Sequence, residues 1–239
     1  MTKKIDYKTI RVLPYTVLAL LLATLLIVVA FSVYSGMLIN GTLTVHQITN
    51  GAYIVCYFIR YLSVVAIFIC LYRLADLNRW IRLSCFMCIS YMIAEMVSRV
   101  GKWMATVLDG HISIDIGALV VNIFPNLFVI MIIVFLLNAI NDIYSRMGDN
   151  EKEKNRYITK GRSAKNLKPY WVIGVLFQTI ISALLVPVIY LLEDGPAHLL
   201  AWCMVLGVII MYVTVSTMLY LKINGFCYDF YIYNYNKGN

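Results

Sequence analysis

Residues 81–104 read IRLSCFMCISYMIAEMVSRVGKWM, an apolar run interrupted by Glu95 and Arg99. Whether this run crosses a membrane decides between five spans and six, and so whether the two ends of the chain share a side. At 1.5 Å per residue it covers about 36 Å, more than the ~30 Å hydrocarbon core of a bilayer. The two charges argue the other way, because a charge in hydrocarbon is expensive.

The surrounding sequence resolves the conflict. Of 239 residues, 62% are hydrophobic and 13% charged, against about 45–50% and about 25% in a soluble domain. That surplus does not fit one aqueous core and calls for lipid as solvent. Five further apolar stretches, at about 12–35, 51–73, 116–140, 170–192 and 198–222, are each long enough to span. The longest polar stretch, 141–170, leaves no room for a separate soluble domain. The expected fold is all-α: a polytopic integral membrane bundle forming a single domain over 1–239, with a cytoplasmic loop at 141–169.

Lysine and arginine placement makes 81–104 the third of six spans. Lys3, Lys4, Lys8 and Arg11 precede the first span. Arg73, Arg79 and Arg82 flank the short loop after the second, eight bases from Arg146 to Lys168 follow the fourth, and Lys222 and Lys237 follow the sixth. Alternate loops therefore hold seventeen of the 20 basic residues, the other side only Arg99 and Lys102, and Arg60 lies within a span. Positive residues stay inside, which puts both termini in the cytoplasm. Without the third span the N-terminus and the 141–169 loop would fall on opposite sides. The net charge of +8 is thus read as topology and not as a nucleic-acid footprint.

Other features agree. Trp80, Trp103, Trp171 and Trp202 fall near span ends, where indoles favour the interface. The tail GFCYDFYIYNYNKGN at 225–239 reads as an interfacial anchor. The first span is too long for a signal peptide and lacks a small-residue cleavage site, so it reads as uncleaved. Ala19 and Ala23 suggest close helix packing. Asn40-Gly41-Thr42 is a formal glycosylation acceptor on the outer side. The two halves of the chain show no repeat. The expected location is a bacterial plasma membrane.

The candidate site follows from the intramembrane charges. Spans 2 and 3 form a hairpin centred near residue 77, so Arg60 and Glu95 share one depth, about 12–14 Å below the outer boundary. A buried Arg60–Glu95 ion pair is expected, with Arg99 one turn on from Glu95 and Tyr91 one turn before it. Asn122 and Asn126 share a face of span 4 around Pro125, which frees a backbone carbonyl. Together these six residues predict a polar layer in the outer half. Its plain role is to glue helices together; its other roles are a ligand or ion site, or a proton relay through Glu95. Gln178, Ser182, Thr214, Ser216 and Thr217 read as ordinary interhelical hydrogen-bonders.

The remaining chemistry is sparse. His46, His111 and His198 share the outer side with Asp109, Asp115, Glu193 and Asp194 but lack ligand spacing, so they read as solvated and no metal is expected. Cys85 and Cys88 form a C-x-x-C, and Cys70 matches Cys85 in depth, yet an apolar helix is not a redox or zinc context. No G-x-S-x-G, H-E-x-x-H or P-loop is present, and no cofactor is expected. The 141–170 segment ends span 4 near Arg146 at Gly148. Beyond it the segment reads as solvated loop whose basic half, 156–168, faces anionic lipid or a cytoplasmic partner.

In plan the chain resembles small six-helix permeases of the ABC exporter type, which implies a transport role with a cytoplasmic ATPase or a homo-oligomer. No diagnostic motif accompanies that resemblance. The alternatives are a non-transporting membrane sensor, immunity or assembly factor, and, third, an intramembrane enzyme.

Overall fold

A computed structural model describes the backbone of residues 7–39, 45–109, 116–191 and 195–238. It describes the side chains of 8–27, 29, 55–97, 125–179, 195, 196, 199, 200, 203, 204 and 206–235. These residues form seven α-helices and one 3-10 turn, with no strand among them. The helices are α1 (Tyr7–Ile39), α2 (Val45–Leu74), α3 (Arg79–Asp109), α4 (Ile116–Ser145), α5 (Glu151–Lys165), α6 (Lys168–Leu191) and α7 (Pro196–Gly238). Five segments are long and apolar enough to cross a membrane: Lys8–Ile27, Val55–Leu77, Arg79–Val97, Pro125–Ser145 and Leu206–Tyr235. The chain is a membrane-embedded helical protein.

Neighbouring helices close a ring in the order α1, α2, α3, α4, α6, α7 and back to α1, while α1 also touches α6 across the middle. The α2–α3 hairpin turns at Ala75–Leu77, where the sequence arithmetic centred it. Asn78 fixes this corner twice. Its Nδ2 donates to Asp142 Oδ2 at 2.6 Å, and its Oδ1 accepts the Trp80 backbone N–H at 2.8 Å. α4 runs unbroken through Pro125. The core is mostly Leu, Ile and Val, with Leu20, Ile67, Ile133 and Leu219 all buried.

One end of the bundle gathers the basic segments. Arg73 Nη1 donates to Thr9 Oγ1 at 3.4 Å, Lys168 Nζ donates to Asn138 Oδ1, and Arg79 lies 4.8 Å over the Trp80 ring, which itself stacks on Phe135. The start of α1, the turn at 75–78, the end of α4, α5 and the end of α7 all meet here.

Here the structure departs from the sequence reading. The 141–170 segment is not a solvated loop. α4 stops at Ser145, Gly148 turns the chain at φ +106°, and α5 runs back along α4. Acids in its first turn (Glu151, Glu153) and bases in its last (Arg162, Lys165) complement the helix dipole. Gly161 and Ala164 are buried, and a Cβ on Gly161 would lie 3.2 Å from the Asn141 backbone. This close approach is what lets so polar a helix pack.

Through Gly238 the 225–239 tail continues α7 as one helix. At 43 residues, α7 is about 65 Å long, and a bilayer with headgroups takes up only about 40–45 Å. Its last turns pack beside α5, with Tyr233 edge-on to Tyr157. Phe226, Cys227 and Phe230 are buried there. Asp229 Oδ2 accepts from Lys160 Nζ at 2.6 Å and from Tyr144 Oη at 2.8 Å. Burial and the Asp229 carboxylate push the Tyr157 phenol up. Trp171 also departs from its expected place: near the start of α6, it points inward, is 1% exposed, and sits 6.0 Å from the Tyr212 ring. Trp80 remains half-buried near the start of α3. The side chains of Trp103 and Trp202 lie outside the described residues.

Candidate functional site in the buried polar layer

Arg60 and Glu95 are both buried, at 3% and 5% exposure. α2 is apolar on all sides around Arg60, so the guanidinium has nowhere to go but inward, toward α3, α4 and α7. Its Nη2 donates to Asn126 Oδ1 at 2.6 Å. Its Cζ lies 5.4 Å from the centre of the fully buried Tyr91 ring, a cation–π geometry whose value rises with desolvation. Glu95, Tyr57, Tyr91 and Tyr212 are the ionisable groups within Coulombic reach of Arg60.

The layer extends to α6, α7 and α1. Asn126 Nδ2 donates to Thr179 Oγ1 at 3.2 Å, and Thr179 Oγ1 donates to Val175 O at 2.7 Å. Tyr212 Oη donates to Leu21 O at 3.3 Å, with Thr24 and Ser216 beside it. Gln178 is buried in the same part of α6. A continuous chain of contacts thus runs Tyr91–Arg60–Asn126–Thr179 through α3, α2, α4 and α6.

Of the six residues singled out from sequence, the structure brings Arg60, Tyr91, Glu95 and Asn126 into one layer. The Arg60 hydrogen bond runs to Asn126, where the sequence pointed to Glu95, and Glu95 stands as a Coulombic neighbour. Tyr91 lies under the guanidinium, where the sequence placed it against Glu95. The side chains of Arg99 and Asn122 lie outside the described residues, as do those of His46, His111, His198, Asp109, Asp115, Glu193 and Asp194.

Thr179, Tyr57, Thr24 and Tyr212 were missed, because a lone Thr or Tyr in an apolar span carries no distinguishing pattern. Of the expected hydrogen-bonders, Gln178 and Ser216 face inward. Thr214 and Thr217 are exposed and donate to Ile210 O and Val213 O of their own helix. The side chain of Ser182 is not described.

Arg60 has one donor to spare among the described residues. A guanidinium carries five N–H groups, and the Nε–H of Arg60 has no acceptor among the described residues. A buried donor left unsatisfied costs about 1–3 kcal/mol, more on a charged group.

Among the described residues, the basic half of the bundle offers no comparable site. A void of about 10 Å³ between α1, α2, α3, α4 and α7 has an apolar lining that includes Leu13, Leu71, Ile140 and Phe226. It has room for at most about one water and no polar group to hold it. The six cysteines are free thiols, and Cys70 has Cys227 of α7 as a neighbour. Among the described residues no three His, Cys, Asp or Glu side chains gather as a metal site.

No protein-family model, curated protein or solved structure matches this chain. A functional reading therefore rests on its own residues.

Proposed function

We propose that the chain is a six-span protein of a bacterial plasma membrane with both termini in the cytoplasm. We further propose that it is a transport-type membrane subunit whose ligand engages Arg60 in the outer half of the bundle. The orientation is supported by the gathering of α5, the 75–78 turn and the ends of α1, α4 and α7 at one end, together with their excess of Lys and Arg. α6 supplies the sixth span.

The observation that carries the ligand site is the buried guanidinium, whose Nε–H has no acceptor among the described residues. Helix glue is available from neutral side chains. A full charge costs several kcal/mol to desolvate, and an acidic group on a ligand would take the open Nε–H donor. The layer joins four helices, so occupancy acts on their packing together, as a transport cycle requires. On this reading a cytoplasmic ATPase or a homo-oligomer supplies the drive, and Arg156, Arg162 and Lys165, exposed on α5, meet anionic lipid.

The hydrogen-bond chain Arg60–Asn126–Thr179 favours one other reading, a structural lock of helix register. The two readings separate in lipid nanodiscs. A binding site predicts that inorganic phosphate, sulfate or small carboxylates raise the unfolding temperature of the native chain. It also predicts that Arg60→Leu with Glu95→Gln stays folded but loses both this response and biological activity. A double variant that keeps full activity leaves only the lock.

Orientation is tested by cysteine labelling. Asn155→Cys should react with an impermeant maleimide only after the membrane is opened, and labelling in intact cells would reverse the topology.

A further inference from the structure

We infer that the ligand of the Arg60 layer is an anion taken up together with one proton, and that Glu95 is the group that accepts the proton. This rests on the ligand reading above and adds a co-substrate to it. The reason is the count of charges in the layer.

Arg60 and Glu95 are both buried. The guanidinium lies 5.4 Å from the centre of the Tyr91 ring. Tyr91 and Glu95, four residues apart, stand one above the other on the same face of α3, so the carboxyl group lies within about one turn of the guanidinium. Among the described residues no other charge is near. Those of the basic end begin ten residues further along, at Arg11 from Leu21 and at Lys222 from Tyr212, about 15 Å away. The other ionisable neighbours of Arg60 are Tyr57 of α2, Tyr91 of α3 and Tyr212 of α7, and a tyrosine is neutral at physiological pH. α4 and α6 contribute Asn126, Gln178 and Thr179, none of which takes up a proton.

The layer thus holds one cation and one acid. An anion seated on the open Nε–H of Arg60 takes over the role of balancing the guanidinium. With Glu95 still ionised, two negative charges would share one positive charge in a low-dielectric interior, and a net charge buried there is the costly case. Like charges at one site favour a proton on one of them. A proton from solvent forms an O–H bond on the Glu95 carboxylate, and the charge of the ligand replaces the one lost. For a monoanion the net charge of the layer is then the same before and after binding, and the new carboxyl O–H is a further donor. On the transport reading each monoanion moves as a neutral pair with its proton, so a proton gradient of the same direction favours its movement.

Proton linkage in lipid nanodiscs tests this. The probe is formate, a monoanion from about pH 6 to 8 because carboxyl groups titrate near about pH 4. The bound state holds one proton more than the free state, so affinity falls as pH rises. The formate concentration that half-saturates the rise in unfolding temperature should increase about tenfold per pH unit, the linkage of one proton per ligand. In weakly buffered solution, saturating formate should draw about one proton per bound anion onto the native chain, read with a pH dye and independent of any variant. Glu95→Gln removes the titrating group, so its half-saturating concentration should change less than about twofold over the same range. Saturable native binding that is flat with pH and takes up no proton overturns the coupling and leaves the ligand reading standing. A slope that survives in Glu95→Gln also overturns it. If formate, phosphate and sulfate all leave the native chain unaffected at every pH, the ligand reading falls and the coupling falls with it.

Discussion

Replacing Arg60 with leucine is expected to destabilise the bundle by about 3–5 kcal/mol, the usual effect of removing one partner from buried, compensating charges. Glu95 is buried and has the Arg60 charge within Coulombic reach. Once the guanidinium is gone, that compensation is gone from the layer. Asn126 Oδ1 also loses its 2.6 Å donor. Glu95→Gln in the same chain should restore most of the loss, because a neutral amide carries no Born penalty. A deficit of about 1 kcal/mol should persist for the Asn126 bond, which no leucine can make. Glu95→Gln alone should also destabilise, leaving an uncompensated cation over the Tyr91 ring. The measurement is a double-mutant cycle on unfolding in detergent or nanodiscs. Additive single effects would mean that Arg60 and Glu95 do not compensate each other, whatever their depth.

Depth was legible in the sequence because a helical hairpin obeys arithmetic. The sum of positions that matched Arg60 with Glu95 required only that α2 and α3 be straight and turn near residue 77, and the turn falls at Ala75–Leu77. Azimuth was not legible. Which side of α3 faces α2 depends on crossing geometry, and a rotation of a fraction of a turn exchanges Glu95 for Tyr91 as the nearest neighbour of the guanidinium. Asn126 was found for a simpler reason: an amide in a Leu/Ile/Val span stands out, whereas Thr179 satisfies itself on its own backbone and does not.

The unit of α5 and the end of α7 escaped for a different reason. Hydropathy ranks 151–165 as loop because only Tyr157, Gly161 and Ala164 form its inward stripe, and two of these are small. The signals that mark it as a helix were present in the acids of its first turn and the bases of its last. The tail escaped because its aromatics were read as one interfacial set. They divide by face: Phe226, Cys227 and Phe230 turn into the bundle, while Tyr228, Tyr231 and Tyr235 turn out. An average over composition cannot distinguish the two; a period of 3.6 residues can.

Gly148→Val should have the second large effect, and it should be confined to this unit. Gly148 holds φ at +106°, a conformation that costs a residue with a branched Cβ about 1–3 kcal/mol. Space adds to the strain: a Cβ there would lie 2.7 Å from Lys154 N and 2.8 Å from Lys154 Cα. Both are backbone atoms in the first turn of α5, so no rotamer change relieves the contact and the helix itself must move. The 2.6 Å Lys160–Asp229 bridge and the stack of Tyr157 on Tyr144 would then be lost together.

Trypsin should cut after Lys152, Lys154 or Arg156 at least tenfold faster, and amide exchange in α5 should rise while α1 to α4 stay protected. Gly161→Ala makes a graded comparison. Its added Cβ meets Tyr144 Cβ at 3.1 Å and Asn141 at 3.2 Å, tight contacts that small shifts relieve, so its effect should be several-fold smaller. If Gly148→Val leaves α5 as protease-resistant as before, the turn is not what seats it. If α5 does come away, the end of α7 loses its clamp. Amide exchange in the turns of α7 around Asp229 should then rise as well, because the Lys160 bridge that holds Asp229 to α5 is lost.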